Sequence, residues 1–258
     1  MQFLESAYKL FIKYSPLFLY GIRVTLLISL TGTVVGLLIG LVIGGIRAIK
    51  VEPRDPLWIK IIKKMIHFIT GSYIEVFRGT PMMVQSMFLY YGFLRPVLRW
   101  NVINSGIFIV SINTGAYMAE IIRSGIQSVD NGQSEAARSI GMSSLQTMFY
   151  VILPQAIKNS FPSIGNEFVV NIKDTSVLNV IAVTELYFQS TKIAGTTFNS
   201  TTPFFVAAVI YFILTYTTTL LLKLVERRLN RTVSSYPSSQ TIPNHATLKS
   251  GEENETNN

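Results

Sequence analysis

Glu167, Asn171 and Asp174 follow one another at intervals of four and three residues within an otherwise apolar stretch, Val151 to Val183. In an α-helix that spacing puts the three side chains on one face about two turns long, with Lys173, Thr175 and Ser176 beside them. Two carboxylates, an amide and two hydroxyls can together bind a cationic group and hydrogen-bond its other polar atoms. The same set can instead anchor a helix through an internal salt-bridge network, with Lys173 turned toward lipid headgroups. If the stretch crosses a bilayer, each charge at mid-membrane costs roughly 2.5–3.5 kcal/mol on insertion scales, so the carboxylates must face a cavity or a partner. Little else in the chain offers chemistry. There is no Cys, and the two His are His67 and His245, which leaves no thiolate nucleophile, no H-E-x-x-H zinc site and no convincing Ser-His-Asp triad. No catalytic group and no metal site is expected.

The elements that must hold this face read as membrane helices. The composition, 49% hydrophobic and 14% charged, departs far enough from the roughly 25% charge of soluble proteins to argue against a water-soluble globule. Val24 to Ile46, Trp100 to Ala119 and Pro203 to Leu222 carry no charge, and each has the approximately 20 residues a transmembrane helix needs. Met65 to Phe93 and Val151 to Val183 are also long enough, although they contain Glu75, Arg78, Lys158, Glu167, Lys173 and Asp174. Short cytoplasmic loops collect Lys and Arg. The loop holding Arg47, Lys50, Arg54, Lys60, Lys63 and Lys64 is therefore inside, the segment around Arg138 is inside, and the loop around Lys192 is outside. The fold class expected is an all-α integral membrane protein of about five transmembrane helices, with the N-terminus outside and the C-terminus in the cytosol.

Residues 1–20 mix Glu5, Lys9 and Lys13 among apolar positions, so they read as an interfacial amphipathic helix ending near Ser15-Pro16 and not as a signal peptide. Residues 21–230 form the transmembrane domain. Residues 231–258 are poor in apolar side chains and read as a disordered cytosolic tail. Gly32, Gly36, Gly40 and Gly44 line one face of the first span, where small residues let another helix approach closely; spacing does not say whether that helix is in the same chain. Gly79-Thr80-Pro81 should break or kink its helix, because Pro lacks a donor and disfavours the α region for the residue before it. Glu75 and Arg78, three apart, can pair on one helix face. The basic first loop adjoins two spans and reads as a lipid-headgroup contact, not a nucleic-acid patch.

The inside loop, about 128–155, reads SVDNGQSEAARSIGMSSLQTMFYVILPQ. Glu135-Ala136-Ala137 lies among helix formers, Gly141 follows where a helix would end on a left-handed residue, and Ser143 with Gln146 has the spacing of a capping box. Two helices should therefore meet at an exposed turn at Gly141-Met142-Ser143, showing Ile140, Met142 and Leu145 to the cytosol. The pattern E-A-A, three residues, G, nine residues, then I-x-L-P resembles the signature loop of ABC importer membrane subunits; this chain has Val151 in place of Ile, followed by Leu153-Pro154. With EVFRGTP…VQ at Glu75 to Gln85 and GNEF…KDTSVL at Gly165 to Leu178, the chain from about Leu17 to Arg228 resembles the permease of a polar amino acid uptake system, a type I ABC importer.

That resemblance implies a non-enzymatic permease subunit in a prokaryotic cell membrane. It implies a second permease, identical or not, two cytosolic ATPase subunits and an extracytoplasmic solute-binding protein. Glu135, Ala136, Ala137, Gly141, Met142, Ser143 and Pro154 would couple to the ATPase. No GK dipeptide occurs, hence no G-x-x-x-x-G-K-[ST] loop, so ATP and Mg would be bound by the partner and no cofactor by this chain. An amino acid has an ammonium that seeks carboxylates and a carboxylate that seeks donors, which makes Glu167, Asn171, Asp174, Thr175 and Ser176 the expected substrate-binding residues for a polar, possibly cationic, amino acid. The competing readings are a secondary transporter whose carboxylates bind a coupling ion, although five spans cannot be halved into equal repeats, and a membrane enzyme.

Overall fold

The computed structural model describes residues 2–49 and 55–231; Lys50, Arg54 and the tail of residues 232–258 lie outside the described residues. The described residues form helices and no strand. In order these are α1 Gln2–Ala48, α2 Leu57–Gly79, α3 Met82–Leu89 continued by a π-helical turn Tyr90–Leu94, α4 Val102–Gln127, α5 Asn131–Ser139, α6 Ser144–Gln146, a π-helical turn Thr147–Ile152, α7 Leu153–Asp174, a 3-10 helix Thr175–Ile181, α8 Leu186–Thr197 and α9 Thr201–Arg231. Gln2–Ala48, Val102–Gln127 and Thr201–Leu229 are each long and apolar enough to cross a membrane.

The bends near Pro16 and Pro81 each follow from a proline. The N-terminal segment and the first apolar run form one helix, α1, bent at Tyr14 (φ −109°, ψ 16°) two residues before Pro16. Pro16 has no N–H for the Ile12 carbonyl; the Ser15 hydroxyl donates to it instead at 3.0 Å. The arm before the bend packs inward through Ala7, which shares a core with Phe18, Leu186, Ile193, Val206 and Ile210.

At Gly79-Thr80-Pro81 the helix breaks, with Thr80 extended (φ −121°, ψ 146°). Pro81 deprives the Phe77 carbonyl of its i+4 donor. Gln85 Nε2 supplies one at 3.0 Å and Asn113 Nδ2 of α4 another at 3.3 Å, while Asn113 Nδ2 also donates to Gln85 Oε1 at 2.9 Å. The Thr80 hydroxyl donates to the Val76 carbonyl at 2.7 Å. Met65 to Phe93 is thus a bent pair, α2 and α3, and its elbow is fastened to α4. The stretch Val151 to Val183 is likewise segmented. A widened turn precedes Pro154, with Leu153 N–H reaching back to Met148, and α7 stops at Asp174 before a 3-10 helix that ends on Ala182 in the left-handed region (φ 62°).

The glycine stripe has its partner in the same chain. α1 lies along α4, and a Cβ on Gly36 would stand 2.8 Å from Thr114 Cβ, one on Gly44 2.7 Å from the Ala119 carbonyl oxygen. Backbones this close exclude any side chain larger than hydrogen. Toward the N-terminal end of the α1 glycine stripe, Val24, Ile28, Ile109, Val110, Leu178 and Ile181 close a core with Tyr90 and Leu94.

Gly36→Val should therefore force α1 and α4 apart, at a cost of about 1–3 kcal/mol typical of overpacking, and lower the thermal midpoint of the detergent-purified protein. Gly45→Ala, where nothing lies within 4 Å, should not lower the midpoint in the same fluorescence-detected melting assay, since Ala is the better helix former.

Candidate functional site

The helical face of α7 is covered unevenly. Asn171 is buried at 3% exposure and spent on its neighbours: Nδ2 donates to Thr33 Oγ1 of α1 at 2.8 Å, and Oδ1 accepts from Thr114 of α4 at 3.1 Å. The Thr33 hydroxyl in turn donates a hydrogen bond to the Ser29 carbonyl at 2.6 Å. This relay joins α1, α4 and α7 through groups that are all satisfied internally. Thr175 is fully buried and its hydroxyl returns to the Ile172 carbonyl at 3.0 Å. Glu167 and Ser176 are half-buried, and Asp174 is exposed at the end of α7 beside exposed Lys173. Neither carboxylate is within 4.0 Å of a cationic nitrogen among the described residues. The structure so brings Glu167 and Asp174 to one side as open carboxylates, interacting electrostatically with each other, and takes Asn171 and Thr175 out of reach of a ligand.

Two other helices add charge to this side. Arg78, in the last turn of α2, places its guanidinium 5.4 Å over the ring of Tyr117 on α4, and its field reaches Glu167. It does not pair with Glu75. Further along α4, Arg123 Nε donates to both carboxylate oxygens of Glu120 at 3.1 Å and Nη1 donates to Gln127 at 2.8 Å, which occupies Glu120.

The turn at Gly141-Met142-Ser143 is closed by local hydrogen bonds on both sides. Asp130 caps α5 by accepting from Gly132 N at 2.8 Å. Met142 N–H reaches back to the Ala137 carbonyl at 3.1 Å and Gly141 N–H to Arg138 at 3.0 Å, the two bonds of a left-handed helix end, with Gly141 at φ +89°. Ser143 N donates to Gln146 Oε1 at 2.8 Å and Gln146 N to Ser143 Oγ at 3.3 Å, a complete capping box. Glu135, Ala136, Ser143 and Pro154 are exposed, Ala137 is buried and Met142 is half-buried. Ile140 (81% exposed) and Leu145 (68%) project. Behind the turn, a cavity of about 790 Å³ separates Leu41 and Ile46 of α1 from Arg138, Leu145 and Met148.

One acidic residue was missed by sequence reasoning. Glu185, at 0% exposure, caps α8 by accepting from Tyr187 N at 2.9 Å and Phe188 N at 2.8 Å, and the Tyr211 hydroxyl of α9 donates to it at 2.6 Å. The neighbouring Leu186 N–H donates to Thr25 of α1 at 3.3 Å. Glu is not a usual cap, and its key partner lies 26 residues away, so no local spacing pointed to it.

Comparison with known proteins bears on this arrangement. The family described as binding-protein-dependent transport system inner membrane component matches residues 60–231. The glutamine transport system permease protein of Escherichia coli (strain K12) is 36% identical over 216 residues, covering 83% of this chain and 93% of that protein. The L-cystine transport system permease protein of Bacillus subtilis (strain 168) is 33% identical over 220 residues, covering 85% and 89%. A solved amino acid ABC transporter with histidines is 40% identical, covers 84% of this chain and 96% of its own, and superposes with a TM-score of 0.74. An inward-facing methionine ABC transporter superposes with a TM-score of 0.73 at 16% identity, covering 84% and 98%, a likeness of fold.

The buried Glu185 cluster yields a stability test. Tyr211→Phe leaves a desolvated carboxylate oxygen short of a donor, which should cost about 1–3 kcal/mol and lower the melting midpoint in detergent. Tyr216→Phe, at a ring that is 55% exposed, should not.

Proposed function

The chain belongs to the family of binding-protein-dependent transport system inner membrane components, and we propose that it is the membrane-spanning permease subunit of an ATP-driven importer of a polar amino acid. The observation that carries this reading is the pairing of two features at opposite ends of α7: an exposed, doubly capped turn leading in through α6, and open carboxylates near the other end. A rigid helix between them can convey motion from a cytosolic partner to a ligand.

In this reading the chain is a multi-pass protein of a prokaryotic cell membrane, with about five spans, an outside N-terminus and a cytosolic C-terminus. The turn from Glu135 to Pro154 docks on a separate ATPase, two of which bind ATP and Mg and supply the energy. Gly141 sets the turn's direction, and Ile140 and Leu145 offer apolar surface to the partner. A second permease subunit completes the pathway, and an extracytoplasmic binding protein delivers the substrate. Glu167 and Asp174, with Ser176, face the pathway and attract the ammonium of the substrate and any cationic side chain; Asn171 and Thr175 hold α7 in place behind them.

Two measurements test the two ends separately. Glu167→Gln and Asp174→Asn should each lower uptake strongly at unchanged membrane abundance, with the larger loss for cationic substrates, since each removes a negative charge that attracts the cationic groups of the substrate. Wild-type uptake and selectivity in both would make the carboxylates structural. Gly141→Val puts a β-branched residue at positive φ and should insert normally yet lose ATPase association or transport-linked hydrolysis; full coupling in that variant would remove the turn from the mechanism.

A further inference from the structure

The cavity of about 790 Å³ between the end of α1 and the Gly141 turn falls within the roughly 300–1,000 Å³ of small-molecule sites. One wall is the end of α1, with Leu41, Val42 and Ile46; the other is α6 and the π-helical turn, with Leu145, Met148 and Phe149. Gly45 leaves the α1 wall open, since a Cβ there meets nothing within 4 Å. Charged residues line the cavity as well. Lys63 and Asp55 pair at 2.6 Å and cancel in charge, which leaves Arg138 in excess among the lining residues. Arg138 is exposed and forms no ion pair within 4.0 Å among the described residues.

A second, independent feature points to a ligand. Thr147, the first residue of the π-helical turn, also lines the cavity. It is 3% exposed, and its hydroxyl has no hydrogen-bond partner among the described residues. Buried hydroxyls are nearly always bonded, so this one calls for an acceptor in the cavity. The place matters too. The uncharged run of α1 ends at Ile46, before Arg47, and residues 41–49 supply the α1 wall. The cavity therefore lies where a membrane helix reaches the water boundary. Its occupant needs a long apolar part, an acceptor for a hydroxyl, one negative charge and access from the bilayer. A peptide or a soluble metabolite would set polar groups against apolar walls without partners; an acyl chain has none.

We infer that this cavity binds one anionic phospholipid, with an acyl chain between α1 and the π-helical turn, an ester carbonyl accepting from Thr147 and the phosphate on Arg138. The guanidinium fork matches a phosphate, and basic pockets beside membrane helices take anionic headgroups. The lipid bridges a membrane helix and the exposed turn and so sets their separation. Nothing in this inference depends on the roles of Glu167 and Asp174.

The delipidated full-length chain in detergent is incubated with phosphatidylglycerol or with phosphatidylcholine of the same acyl chains, and native mass spectrometry counts the lipid retained. One phosphatidylglycerol per chain should stay bound, preferred over phosphatidylcholine by about fivefold, the effect of one Arg beside an anionic lipid. Arg138→Gln should remove that preference. Gly45→Leu, which fills the cavity from its open wall, should abolish retention of both lipids at an unchanged melting midpoint. Thr147→Val should weaken both lipids without lowering the midpoint; if Gly45→Leu melts lower, this variant and Arg138→Gln decide. Glycerophosphoglycerol, the headgroup without chains, should not compete. Undiminished retention in Gly45→Leu at full stability, undiminished preference in Arg138→Gln, or competition by the headgroup alone overturns the inference. A phosphatidylglycerol with a diazirine at its chain end should label residues 41–49 or 145–149. Labelling confined to Trp58 and Phe68, exposed on α2, makes the lipid a general coat and overturns it as well. Displacement of the lipid by added ATPase subunits assigns the cavity to that partner, with the same consequence.

Discussion

The carbonyl of Phe77 has no backbone donor, because the residue four places on is Pro81, and in an apolar surround an orphaned carbonyl costs as much as a lost hydrogen bond. Gln85 and Asn113 meet that need from α3 and α4. The Ile12 carbonyl is orphaned by Pro16 in the same way and is met by Ser15. This constraint, that every polar atom away from water must find a partner within the protein, governs where the helices break and what they are tied to. It places the elbow of α2 and α3 against α4 and puts Arg78 and Tyr117 together.

The same constraint works with close packing at the centre. Hydrogen-only side chains along Gly32 to Gly44 let α1 and α4 approach to backbone contact, and the hydroxyls of Thr33 and Thr114 on these two helices then lie near enough to clasp Asn171 from both sides. α7 is thereby fixed in rotation. With Asn171 drawn inward, Glu167 and Asp174, one turn to either side, are left at the margin of the packed face.

At the exposed Gly141 turn the requirement relaxes, since water satisfies the backbone, and local rules suffice. The left-handed Gly141 and the Ser143–Gln146 capping box define the turn with residues no more than six apart, and tertiary packing adds little. The turn therefore presents Ile140 and Leu145 outward instead of burying them.

The separation between what was legible in the sequence and what was not follows the range of the interactions. Helical class, the apolar stretches, the break at Pro81, the glycine stripe and the capped turn at Gly141 all depend on residues within one or two turns of one another, and their periodicity or spacing determined them. The motifs around Glu75, Glu135 and Gly165 also pointed to the family. What tertiary structure decided was the partner of the glycine stripe, the continuity of α1 through its bend, and the division of the α7 face into a spent Asn171 and open carboxylates. It also decided the burial of Glu185 against Tyr211 and the failure of Arg78 to pair with Glu75. Each of these turns on contacts between residues tens of positions apart, or on which side of a helix is covered. Spacing along a helix says which side chains share a side; only the neighbouring helices, brought in by packing, decide which of them remain free to do chemistry.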